Sequence, residues 1–234
     1  MSRLIAVFMR HGALKHPAGV AGGNLPYALT AAGENQAADA AQRLADLAAD
    51  MDFKVDDDLE CSPNEAAWQT AAILGEELED ITDRQGYRAV ERAELAGRSL
   101  GSVANLKTTH IETLIEDDPR FTKAPKDWLA RTDYRPPFAG VETLGGAGER
   151  LGDFVRRRIE ELWPHLTGDT LKVFVGHGSA LIHAAAFLDV LPKNRAAQLA
   201  LPPAGWILIE FNAAGRCTLV DADWRKPKKG DGED

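Results

Sequence analysis

Two histidines stand in matching settings in this 234-residue chain. His11 follows the apolar run Leu4 to Met9, within Arg10-His11-Gly12. His177 follows Leu171 to Val175, within Gly176-His177-Gly178. An imidazole nitrogen can act as a nucleophile or a base. A guanidinium such as Arg10 presents a planar fork of donors that suits an oxyanion. A short apolar run that ends in polar residues reads as a buried strand with its polar end at the sheet margin. Two such strands of one parallel sheet would deliver both histidines to the edge where ligands bind in open α/β sheets.

The remaining pattern supplies that sheet. Residues 13–28 carry Pro17, Gly19, Gly22, Gly23, Asn24 and Pro26 and read as a loop. Thr30 can N-cap an alanine-rich helix to about Asp50. A short strand is expected near Lys54 to Glu60. Ser62 with Glu65 fits a capping box opening a second helix through Trp68, Ala71, Ala72 and Leu74. Leu151, Phe154, Val155, Ile159 and Leu162 have helical spacing, with Gly145-Gly146-Ala147-Gly148 leading into that helix. A helix through Leu181, Ala185 and Leu188 should run to Leu191, stopped by Pro192. Trp206 to Phe211 and Cys217 to Val220 read as two strands. Strand and helix alternate, so the expected fold is a three-layer α/β/α domain over residues 1–224 with a mostly parallel sheet. Residues 101–140, rich in charge and proline, form an excursion over the active face, and 225–234 a charged tail.

Four segments carry a family resemblance, in order along most of the chain. Arg10-His11-Gly12 closes the first strand. Leu29-Thr30-Ala31-Ala32-Gly33 leads to Gln36-Ala37, and Ser62-Pro63 leads to Gln69-Thr70-Ala71. Val175-Gly176-His177-Gly178 follows the later strand. The chain resembles the histidine phosphatase superfamily, whose fold is phosphoglycerate mutase-like and whose members include mutases, sugar-phosphate phosphatases and protein phosphohistidine phosphatases. The resemblance implies that His11 attacks phosphorus to give a phosphohistidine that water then hydrolyses. Arg10 and, if protonated, His177 would hold the phosphoryl oxygens, Gly12 and Gly178 would let them approach, and a helix starting near Ser179 would aim free N–H groups at the anion. No metal or other cofactor is required.

The chain departs from the family's pattern in three places. The second phosphate arginine falls at Ala66, and an asparagine after the first motif falls near Pro17. The general acid, a Glu ahead of a glycine-rich turn, is either Glu91 or Glu94, and Glu94 is nearer the turn. Lys15 is the preferred replacement cation, ahead of the basic residues of 101–140. Two readings stay open: a metal-independent phosphatase, and a phosphoester-binding or partner-binding pseudo-enzyme on the same fold.

Composition narrows the partners. The net charge of −9 disfavours nucleic acid and anionic membranes, leaving a small phosphorylated substrate or a phosphoprotein. The basic residues of 101–140 interleave with Asp117, Asp118 and Asp127, so no nucleic-acid stripe forms. Cys61 and Cys217 do not make a disulfide framework. His16, His110, His165 and His183 form no ligand pair. No apolar run is long enough for a signal or membrane segment, so the expected location is cytoplasmic.

Overall fold

A computed structural model describes residues 2–22 and 25–228. The first strand, β1 (Leu4–Arg10), is buried along its whole length. Its partner β5 (Thr170–Gly176) is equally buried. Such runs lack alternation because both faces of the strand are covered. Residues Ile5, Val7 and Met9 meet Leu171, Val173 and Val175 in one core cluster, under α1 (Ala31–Met51) and α2 (Glu65–Thr82). Leu4, Ala6 and Phe8 point the other way with Phe174, into a second cluster under α4 (Leu144–Leu162) and α5 (Gly178–Phe187). The fold is therefore mixed α/β, with a central sheet flanked by helices.

The seven-stranded sheet also contains β2 (Lys54–Val55), β3 (Asp58–Cys61), β4 (Arg88–Glu91), β6 (Trp206–Phe211) and β7 (Cys217–Ala222). Its order is β4-β3-β5-β1-β6-β7, with β2 also on β5. Pairing is parallel from β4 to β1, whereas β6 runs antiparallel to β1 and β7 antiparallel to β6. Leu4 pairs with Thr170 and Arg10 with Gly176. This register makes His11 and His177 the next residues beyond two neighbouring strands.

Local signals fared unevenly. Thr30 caps α1, its hydroxyl accepting the Gly33 N–H at 3.0 Å. The single strand expected at 54–60 is two, β2 and β3. The Ser62–Glu65 capping box does not form: Asn64 holds the N-cap position, with no side-chain cap bond, because the Ser62 side chain is engaged elsewhere. Helix α5 stops at Phe187 rather than Leu191, and a separate short helix α6 (Lys193–Ala196) follows Pro192. Arg225, expected in the charged tail, exchanges two backbone hydrogen bonds with Ala200. The rest of that tail from 229 onward, with Gly23 and Asn24, lies outside the described residues.

Residues 101–140 include α3 (Thr108–Asp117) and bury Ile111, Ile115 and Trp128 with Leu100, Val103, Val141 and Ala21 in a third cluster. The segment is tied to the loop after β1, where the Thr108 N–H donates to the Gly19 carbonyl. Among the described residues no helix is long and apolar enough to cross a membrane.

Candidate active site

The carboxyl edge of β1 and β5 is knotted by backbone hydrogen bonds. The His11 N–H donates to the Gly176 carbonyl at 3.0 Å, and the Ser62 N–H to that of Val175 at 2.9 Å. Three segments far apart in sequence thus converge. The rings of His11 and His177 stand edge to face, 5.1 Å between centroids. Both are buried, at 1% and 3% exposure.

The protons of both rings follow from their partners. A carbonyl only accepts, so the 2.7 Å contact between His11 Nδ1 and the Gly12 oxygen puts the proton on Nδ1. In the neutral ring the lone pair then sits on Nε2. For His177 the deduction starts further out. Asn64 Nδ2 donates to the Leu25 carbonyl, which turns Asn64 Oδ1 toward Ser62. The Ser62 hydroxyl donates to that oxygen at 3.0 Å. Its oxygen therefore accepts from His177 Nε2 at 3.1 Å, and the His177 lone pair falls on Nδ1.

Both rings are held neutral. Burial pushes the His11 imidazole down to about 4, and the positive charge of Arg10 acts in the same direction. Burial also drives His177 well below the usual histidine range, reinforced by His11, Arg10 and Arg150. Burial and the neighbouring cations therefore oppose protonation of His177. A buried imidazole beside other cationic groups sheds its proton.

The scaffold around His11 explains the motif residues. The Gly12 N–H donates to Thr70 Oγ1 at 3.0 Å, and that hydroxyl donates to the Ala66 carbonyl at 2.7 Å. Gln69 accepts the Leu29 N–H, and Gln36 accepts the Ala13 N–H. The glutamines and the threonine therefore hold the backbone on either side of the histidine turn. Gly12 is required by its neighbour, since a Cβ there would lie 2.4 Å from the Gly33 carbonyl oxygen. At Gly178 a Cβ would come within 3.0 Å of Arg10 Cδ, so the glycine lets the arginine cross the start of α5. Arg10 is 9% exposed and donates through Nη1 to the Leu201 carbonyl at 2.7 Å.

The structure thus gathers His11, His177, Arg10, Gly12 and Gly178. Glu94 sits in a 3₁₀ turn, Ala93–Leu95, whose Leu95 carbonyl abuts Gly176 at the end of β5. Among the described contacts its carboxylate reaches neither histidine. Lys15 is exposed on its loop, and the charges acting on His11 come instead from Arg10 and His16. Ala66 is buried in the first turn of α2. Arg150 was not singled out by sequence. From α4 it donates to the carbonyls of Glu94, Ala96 and Gly97 and pairs with Glu142 at 2.8 Å, which fixes the Glu94 turn. No spacing rule links it to residues more than fifty positions earlier. Ser62, a cap candidate by its spacing from Glu65, instead bonds Asn64 and His177. Among the described residues no three His, Cys, Asp or Glu side chains gather as a metal site.

Residues 6–223 match the histidine phosphatase superfamily, branch 1. The chain belongs to this superfamily. No sequence match to a curated protein was found. Among solved structures, mycobacterial hydrolase 1 superposes with a TM-score of 0.68 at 19% identity, covering 95% of this chain and 99% of that one. A mycobacterial glucosyl-3-phosphoglycerate phosphatase gives 0.66 at 21%, covering 95% and 96%. An alpha-ribazole phosphatase from Shigella flexneri gives 0.66 at 20%, covering 94% and 96%. These neighbours share the phosphoglycerate mutase-like fold, and family membership supports a phosphatase.

Proposed function

We propose that the protein is a metal-independent phosphatase acting on a phosphomonoester or a phosphohistidine through a phosphohistidine on His11. The observation that carries this reading is the neutral His11 ring, its proton fixed on Nδ1 and its Nε2 lone pair beside Arg10 and His177. Nε2 attacks phosphorus while the P–O bond to the leaving group breaks, and the leaving oxygen takes a proton. Glu94 is the proposed donor, on a turn that Arg150 holds rigid. Water then attacks phosphorus, passing a proton back to the Glu94 carboxylate, the N–P bond breaks, and neutral His11 returns with inorganic phosphate. Arg10 and the first N–H groups of α5 meet the non-bridging oxygens. His177 serves them as a donor once the dianion has raised its proton affinity and Nδ1 is protonated.

The test is incubation with a reactive phosphodonor in EDTA. Acid-labile phosphate should appear on His11 and be absent from His11→Ala. Acid-stable phosphate on Ser62, or a requirement for a divalent ion, would overturn the mechanism. Ala66 supports a second reading, a binding module that does not turn over. There, Ala66→Arg would leave the protein inactive, whereas a phosphatase limited by that missing cation should gain about one to two decades of rate.

A further inference from the structure

A cavity opens beside Arg10, between the start of α5, the segment 129–144 and the stretch 196–201. Leu129, Leu144, Ile182, Leu199, Leu201 and Pro227 make most of its wall. The space exists because Ala130, Ala196, Ala197 and Ala200 stand where larger side chains would fill it. It offers about 80 Å³ to water-sized groups, several times the roughly 10–15 Å³ that one such group needs, so a small guest fits.

The polar side chains on the wall are Arg10, Ser179 and His183. His183 has little to give a ligand. Its Nδ1–H donates to the Ser179 carbonyl at 2.8 Å, and its Nε2 accepts from the Thr132 hydroxyl at 3.1 Å. Among the described residues neither a carboxylate, an amide nor a lysine lines the cavity. A guest rich in hydroxyls would exchange water for a wall with few partners. A guest bearing a second anionic group would find only Arg10, already committed to the phosphoryl group. An uncharged apolar guest meets neither penalty.

We propose that this cavity receives the organic part of the substrate, and that the ester cleaved is a phosphomonoester of an apolar alcohol or phenol. The proposal rests on the phosphatase reading, in which Arg10 holds the phosphoryl group at the cavity's edge.

Binding and chemistry can be tested separately. Phenylphosphonate and methylphosphonate, which cannot be hydrolysed, compete with an aryl phosphate or are followed by calorimetry. Burial of the ring should make phenylphosphonate bind on the order of ten- to a hundredfold tighter. Ala197→Trp should abolish that preference by filling the cavity from an exposed position, as should Ala130→Trp on the opposite wall. Phosphorylation of His11 by acetyl phosphate, which has no group to place there, should proceed unchanged in both variants. Hydrolysis by the parent should likewise favour phenyl phosphate over glucose 6-phosphate in kcat/KM. Equal affinity for the two phosphonates overturns the proposal, as does a preference that survives both tryptophans. If deleting residues 229–234 tightens both phosphonates alike while the tryptophans change nothing, the cavity belongs to the chain's own tail and the proposal falls. If His11 is never phosphorylated yet the phenyl preference persists and the tryptophans abolish it, the catalytic reading fails and the cavity assignment stands.

Discussion

Replacing Thr70 with valine isolates one hydroxyl on which the His11 turn depends. The side chain is fully buried. Its oxygen accepts the Gly12 N–H at 3.0 Å and donates to the Ala66 carbonyl at 2.7 Å. Valine keeps the shape and removes both bonds. The Ala66 carbonyl retains its helical partner, the N–H four residues on, but the buried Gly12 N–H loses its acceptor. Leaving one such group unpaired costs about 1–3 kcal/mol. In a chain of this size that lowers Tm by roughly 2–12 °C. Thr70→Ser keeps the hydroxyl and loses one methyl, which costs about 1 kcal/mol. The second readout is the rate of His11 phosphorylation. The Gly12 carbonyl fixes the His11 tautomer, so a Gly12 peptide that shifts takes the nucleophile with it. Valine should slow phosphorylation at least tenfold, as a misplaced catalytic group does, while serine should leave it near the parent rate. If the two variants are indistinguishable in both Tm and rate, the hydroxyl does not position the turn.

Three further expectations follow from charged groups. Glu60 is fully buried with Arg158 at 2.6 Å and with Arg92 and Lys172 each at 3.3 Å; Glu60→Gln leaves buried cations undercompensated and should cost about 3 kcal/mol in a urea titration, and a loss below about 0.5 kcal/mol would contradict the burial. His11 titrates near 4 when folded and near 6.5 when unfolded, so the unfolded chain binds the proton first; this group alone should lower stability by about 3 kcal/mol as pH drops from 6.5 to 4, with His177 adding in the same direction, and His11→Ala should reduce that slope, an unchanged slope arguing against a buried neutral ring. Phosphate binding at neutral pH should take up close to one proton, because burial keeps the His177 ring neutral beforehand; calorimetry in buffers of different ionisation enthalpy measures it, and a buffer-independent heat would refute protonation of His177 on binding.

The pairing of the two histidines was legible because both close apolar runs of strand length and are followed by glycine. Strand β4 was not: Arg88-Ala89-Val90-Glu91 is short and only partly buried, without the apolar signal of β1. The antiparallel β6 is as apolar as β5, and direction leaves no trace in composition. Thr30 could be read as a cap because its bond is local. Ser62 could not, since its partner His177 is 115 residues away. Arg150 shows the same limit, since it comes from α4 and reaches the Glu94 turn only because the fold brings it there.

The placing of β1 has a further consequence for the birth of the chain. Leu4 to Met9 leave the ribosome early, yet their partners are residues 170–175 on one side and 206–211 on the other. At about 5–20 residues per second, roughly 10–40 s of synthesis separate Met9 from its partner Trp206. Until β5 is made a six-residue strand without a charge has both edges unfilled, and until β6 follows it has one, a template for pairing with other chains. The residue that would do chemistry is therefore attached to the segment with the longest wait. Chaperone dependence during translation should track the apolarity of that run more closely than the stability of the finished fold.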